Sequence, residues 1–161
     1  MTIRTLYLTS ADFRIEIDGA VQYRNPSLPE QFYFGFLNKE PFRIVREQQS
    51  FLSRRRYCLL DSRREEVASI MMPGLLGGWS DRDTLIVKGV DHKILTGKMK
   101  WNTLLKQSQA WSVEGLGIDC QMEMGPLNWK ISSNVKGTDE LEIAVTILLQ
   151  YSRLRVVLES D

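Results

Sequence analysis

The chain has 161 residues, with 21 Lys+Arg against 20 Asp+Glu and one His. That length closes one hydrophobic core, and 43% hydrophobic with 25% charged residues argues against disorder, collagen and a membrane-helix bundle. A net charge of +1 removes any whole-protein argument for a nucleic-acid coat or a basic membrane binder.

Met1 to Ser10 carries Arg4 and a short apolar run broken by Thr5 and Thr9, without the apolar core and small-residue cleavage site of a secretory leader, so a cytoplasmic address is expected. Period-two alternation then takes over. Phe13-Arg14-Ile15-Glu16-Ile17 alternates apolar and charged residues, Asp18-Gly19 follows as a hairpin turn, and Ala20 to Arg24 resumes the alternation. Phe32, Phe34 and Phe36 repeat at spacing two, and Phe42 to Arg46 is the next run. Arg56 to Leu60 and Glu66 to Met71 are joined across Asp61-Ser62-Arg63-Arg64.

Pro73-Gly74-Leu75-Leu76-Gly77-Gly78 is glycine-rich but lacks the Lys-Ser/Thr of a phosphate loop, so it reads as a connection with an apolar tip. Beyond it come Thr84 to Lys88, His92 to Thr96, Lys98 to Leu105, Ala110 to Glu114, Ile118 to Met124 and Leu127 to Ser132. The total is about 11–12 short strands with no intervening helical period, which favours an antiparallel β-barrel over a βαβ plan. Cys58 and Cys120 sit inside strand-like runs, where cysteine behaves as a small buried hydrophobe.

The last segment changes period. Residues 139–158 read DELEIAVTILLQYSRLRVVL, with Asp139 and Glu142 spaced for a capping box and with Arg153 and Arg155 near the end, where a helix dipole favours them. Glu142, Thr146, Gln150 and Arg153 form one narrow polar stripe, and apolar side chains cover nearly all the rest of the circumference. A helix that apolar is expected to be buried in or against the barrel. Its two arginines and short uninterrupted apolar stretch make a poor membrane span. Ile143, Val145 and Ile147 also alternate, so two further strands stand as the rival reading.

The segment from Tyr57 to Ile70, an apolar strand ending in Asp61, a polar turn, then a strand with Glu66 before Val67-Ala68 and a later Ile70, resembles the recurring hairpin of the tubby C-terminal-like group. That group includes tubby proteins, phospholipid scramblases and LURP-one-related proteins. Phe13 to Tyr23 is a looser second copy, and Arg63-Arg64 stands where the pattern usually has a glycine. The resemblance implies one domain over residues 1–161, a terminal helix threading a barrel, and binding of phosphoinositides or action at membranes.

Charge supports a site in the middle of the chain. From Arg43 to Lys106 there are 13 basic and 7 acidic side chains, whereas residues 1–42 sum to −1 and residues 107–161 to −4. Guanidinium forks suit phosphate oxygens, so Arg54, Arg55, Arg56, Arg63 and Arg64, extended by Lys98 and Lys100, are the candidate ligand-binding residues. His92 stands alone, two distant cysteines do not make a zinc site, and no catalytic set is evident, so neither metal nor cofactor is expected.

The leading expectation is therefore a non-enzymatic binding domain for anionic phospholipid headgroups or phosphorylated ligands, peripheral to a membrane. A lipocalin-like carrier of a small apolar ligand is the alternative, as is an interaction or assembly module with a protein partner or as a homodimer. That module would use the Phe32-Phe34-Phe36 run or the Leu75-Leu76 loop. Nucleic acid is a weak candidate, because only Trp101 lies beside basic residues in the sequence.

Overall fold

Each alternating run has strand length and one apolar side, and hairpin turns fold successive runs into antiparallel ladders. The structure, a computed structural model, describes residues 2–9, 12–35, 41–47, 55–72, 84–97, 100–103, 106–125, 128–135 and 140–159. Among these the chain forms β1 (Thr2–Thr9), β2 (Asp12–Ile17), β3 (Ala20–Asn25), β4 (Phe32–Phe34), β5 (Phe42–Glu47), β6 (Arg55–Leu60) and β7 (Glu66–Met72). It continues with β8 (Thr84–Val87), β9 (Val90–Thr96), β10 (Lys100–Thr103), β11 (Lys106–Val113), β12 (Ile118–Met124), β13 (Asn128–Val135) and the helix α1 (Glu140–Glu159).

All thirteen strands join one antiparallel sheet in the order β3-β2-β1-β13-β12-β11-β9-β8-β7-β6-β5-β4, with β10 added on β11. Two departures from the sequence reading concern the strands themselves. Thr2–Thr9 is a strand that the N-terminal sequence did not announce, and it lies between β2 and β13. The run expected over 98–105 is the short β10, and the following strand starts at Lys106 rather than at Ala110.

A closed barrel was expected, but the sheet is open. Its order ends at β3 and β4, and no backbone ladder joins them among the described residues. The connection between them contains Pro26 and Pro29, which have no N–H to donate, and β4 offers only three residues. Side chains cover the seam instead. The Tyr23 and Phe32 ring centroids are 4.9 Å apart, and Phe13 meets Phe32 edge-on at 5.8 Å.

The C-terminal segment is a helix, and the two-strand alternative is excluded. Alternating β-branched residues favour a strand only where a ladder partner exists; a segment enclosed on every side satisfies its backbone groups internally, as a helix does. Every residue from Ile143 to Leu154 is buried. The helix packs on β13 and β1 and also on β6 and β7, strands far apart in the sheet order, so the sheet curls around it. Asp139 of the expected capping box lies outside the described residues.

Four polar side chains of the helix, Thr146, Gln150, Ser152 and Arg153, are buried as well, and each makes a hydrogen bond. Thr146 Oγ1 donates to the Glu142 carbonyl at 2.7 Å and Ser152 Oγ to that of Leu149 at 2.9 Å. Gln150 Nε2 donates to Ser133 Oγ, which lies 3.0 Å from Cys120 Sγ. Arg153 donates to Gln109 Oε1 at 2.5 Å, and the Tyr151 hydroxyl donates to the Pro29 carbonyl. These bonds tie the helix to β13, β11 and the β3–β4 connection, offsetting the cost of burying polar groups.

Candidate functional site

Alternation along β6 divides its side chains between two environments. Tyr57 points inward, where its ring meets Tyr151 at 5.8 Å, so Arg56 and Cys58 lie on the outer face. There Arg56 Nη1 is 3.0 Å from Glu47 Oε2, Arg56 Nη2 is 2.5 Å from Glu66 Oε1, and Nη1 also reaches Cys58 Sγ at 2.9 Å. Arg56 therefore holds β5, β6 and β7 together, and its charge is matched by two carboxylates. The Cys58 thiol lies beneath it, pushed up to about 12 by burial and then by Glu66. Burial likewise pushes Cys120 up to about 12, so neither cysteine supplies a thiolate at neutral pH.

Arg63 and Arg64 occupy the turn after β6 and are exposed. Asp61 builds this turn: its Oδ1 accepts the N–H groups of Arg63 at 2.9 Å and of Glu65 at 3.0 Å, and its carbonyl accepts that of Arg64 at 3.0 Å. Arg64 has φ 63°, the left-handed conformation that a glycine adopts without strain. The next hairpin turn, Lys88-Gly89 with φ 49° and 78°, joins β8 to β9. Lys88 N–H donates to the Val67 carbonyl at 2.9 Å, which sets the two turns side by side at one end of the sheet. Val90, the following residue, is 57% exposed.

Lys100 lies toward the other end. From Val90 beside the Lys88-Gly89 turn, β9 runs to Thr96 opposite Trp111, and Lys100 pairs with Ser108, further along β11 from that turn. Lys100 and its neighbour Trp101 are both exposed, Trp101 at 66%. The four candidate cations whose side chains are described, Arg56, Arg63, Arg64 and Lys100, thus do not form one site. Arg63 and Arg64 share a turn, Arg56 is occupied by carboxylates, and Lys100 is remote. Arg54 and Lys98 fall outside the described residues, and Arg55 is placed only as a position on β6.

Sequence reasoning passed over Lys88. Its signal was a Lys-Gly pair between two alternating runs, a two-residue hairpin loop. His92 Nδ1, on β9, lies 3.0 Å from the carbonyl of Glu114 in the turn after β11. Phe32 and Phe34, considered for an interaction surface, are buried at 4% and 3%. Phe36 and the Leu75-Leu76 loop lie outside the described residues. Comparisons with known protein families, with curated proteins and with solved structures find no match to this chain.

Proposed function

We propose that this protein is a non-enzymatic domain that binds anionic phospholipid surfaces from its exterior, in the manner that its resemblance to the tubby C-terminal-like group implies. The observation that carries this reading is the buried helix. From Ile143 to Leu154 it occupies the space inside the curled sheet, the volume that a lipocalin-like carrier reserves for its ligand. Recognition then belongs to the outer surface and the turns, where Arg63, Arg64, Lys88 and Lys100 are exposed.

Exposed cations near an anionic bilayer contribute about 1 kcal/mol each within a Debye length, giving salt-sensitive binding of moderate strength. Co-sedimentation with vesicles checks this. The protein is expected to pellet with phosphatidylcholine vesicles containing phosphatidylserine, to do so less at physiological than at low ionic strength, and to remain in the supernatant with phosphatidylcholine alone. Equal behaviour with both vesicle types would remove the lipid reading.

A further inference from the structure

We infer that the outer face of β6 to β9 is an interface between two copies of this chain, stacked sheet against sheet about a twofold axis. This goes beyond the membrane reading above and does not depend on it.

The strands themselves point to a covered face. Where one side of a strand meets water its sequence alternates: β2 turns Asp12, Arg14 and Glu16 outward, and β12 turns out Asp119, Gln121 and Glu123. Three strands break that rule. Tyr57-Cys58-Leu59-Leu60, Val67-Ala68-Ser69-Ile70-Met71-Met72 and Leu85-Ile86-Val87 run almost without a polar residue, the pattern of strands covered on both faces. Tyr57, Ile70 and Leu85 are fully buried on the inner side, so Cys58, Ser69, Met71 and Ile86 point outward. There Met71 and Ile86 are 44% and 40% exposed, and Leu95 on β9 extends the apolar face at 44%.

Register arranges these side chains in two adjacent rows across the strands. Cys58, Ser69, Ile86 and Asp91 are successive ladder partners and form the first row. Two positions along each strand, the second row pairs Arg56 with Met71 and Thr84 with Lys93. Continuing the Ser69–Ile86 and Ile70–Leu85 pairs sets Met71 level with Thr84. On every one of β7, β8 and β9, therefore, the two rows hold complementary members: small and large, large and small, acid and base.

A second copy is the partner that these rows fit. A twofold axis lying between the sheets, and crossing the strands at the level of Ile70, Leu85 and His92, sets each row against the other row of the second copy. Met71 then lies over Ser69, Ile86 over Thr84 and Asp91 over Lys93, and each contact is made twice. Face-to-face sheets stand about 10 Å apart, a depth that interdigitating side chains fill. Arg56 borders the contact and is held by Glu47 and Glu66. A whole-chain charge of +1 leaves little long-range repulsion between copies.

Sedimentation velocity of the full chain tests this. The protein is expected to sediment as a dimer at about 100 μM and to dissociate on dilution toward about 1 μM. Ile86→Lys is expected to weaken association at least about 30-fold while far-ultraviolet circular dichroism is unchanged. Charge reversal tests the axis. Asp91→Lys and Lys93→Asp are each expected to weaken association about 5-fold, and the two combined to restore it, because opposite charges then face one another again. A monomer at about 100 μM would overturn the inference and leave the face to a different partner. So would a dimer indifferent to Ile86→Lys, or a combined reversal that associates no better than the single ones. Should Ile86→Lys fail to fold, the reversals at the exposed Asp91 and Lys93 decide alone.

Discussion

Arg64 shows how one residue can be tolerated rather than favoured. Its φ of 63° costs a non-glycine residue about 1–2 kcal/mol, and the turn is held by the Asp61 carboxylate regardless of which side chain occupies position 64. Arg64→Gly alone is therefore expected to raise stability by about 0.5–1 kcal/mol after the added chain entropy of glycine, measured as the midpoint of urea unfolding. The cysteines carry a pH prediction. Both fold with a pKa of about 12 against an ordinary 9, so the folded state holds their protons more tightly than the unfolded chain. That contribution is complete below about pH 9 and is lost as pH rises toward 12, so urea midpoints should fall across that interval. At pH 8 a thiol reagent should label neither cysteine until the protein unfolds.

At the scale of the element, α1 is the piece the sheet curls around, packed on β1, β6, β7 and β13. Leu148 is fully buried in its middle, and Leu148→Ala leaves a cavity enclosed by strands that cannot collapse freely, a loss of about 2–5 kcal/mol. Chemical denaturation at neutral pH reads this directly, and a loss below about 1 kcal/mol would show that the helix is loosely held. The helix was legible in the sequence because Glu140 and Glu142 open a run of apolar residues with few polar interruptions. Those interruptions were not legible as interior contacts. Gln150, Arg153 and Tyr151 reach Ser133, Gln109 and Pro29, partners at least 17 residues away along the chain. The opposite case is β1, whose sequence gives little alternation but which is paired on both sides, so neighbours supply what local propensity does not.

At the scale of the whole molecule, the curled sheet needs the helix because its inward side chains have no second layer to bury them. Phe13, Ile15, Ile44, Leu59, Ile70, Leu85, Ile94 and Ile131 are each no more than 1% exposed. A chain ending before Glu140 is expected to lose cooperative unfolding and to expose that inner face to a hydrophobic dye, whereas retained native near-ultraviolet circular dichroism would mean that the sheet is stable alone.

Alternation, turn residues and the period change near residue 139 by themselves determined a mostly β antiparallel fold, two buried cysteines and the Asp18-Gly19 and Asp61–Arg64 turns, and favoured a C-terminal helix over the two strands that the structure excludes. These are local signals, carried by residues within one or two turns of each other. Only the tertiary structure decided that the sheet stays open between β3 and β4 and that Arg56 is matched by Glu47 and Glu66. Only there does Lys88 come beside the turn holding Arg63 and Arg64, with Lys100 remote from both. The reason is register: which cations become neighbours depends on how strands distant in sequence slide against each other, and no spacing along one strand records that.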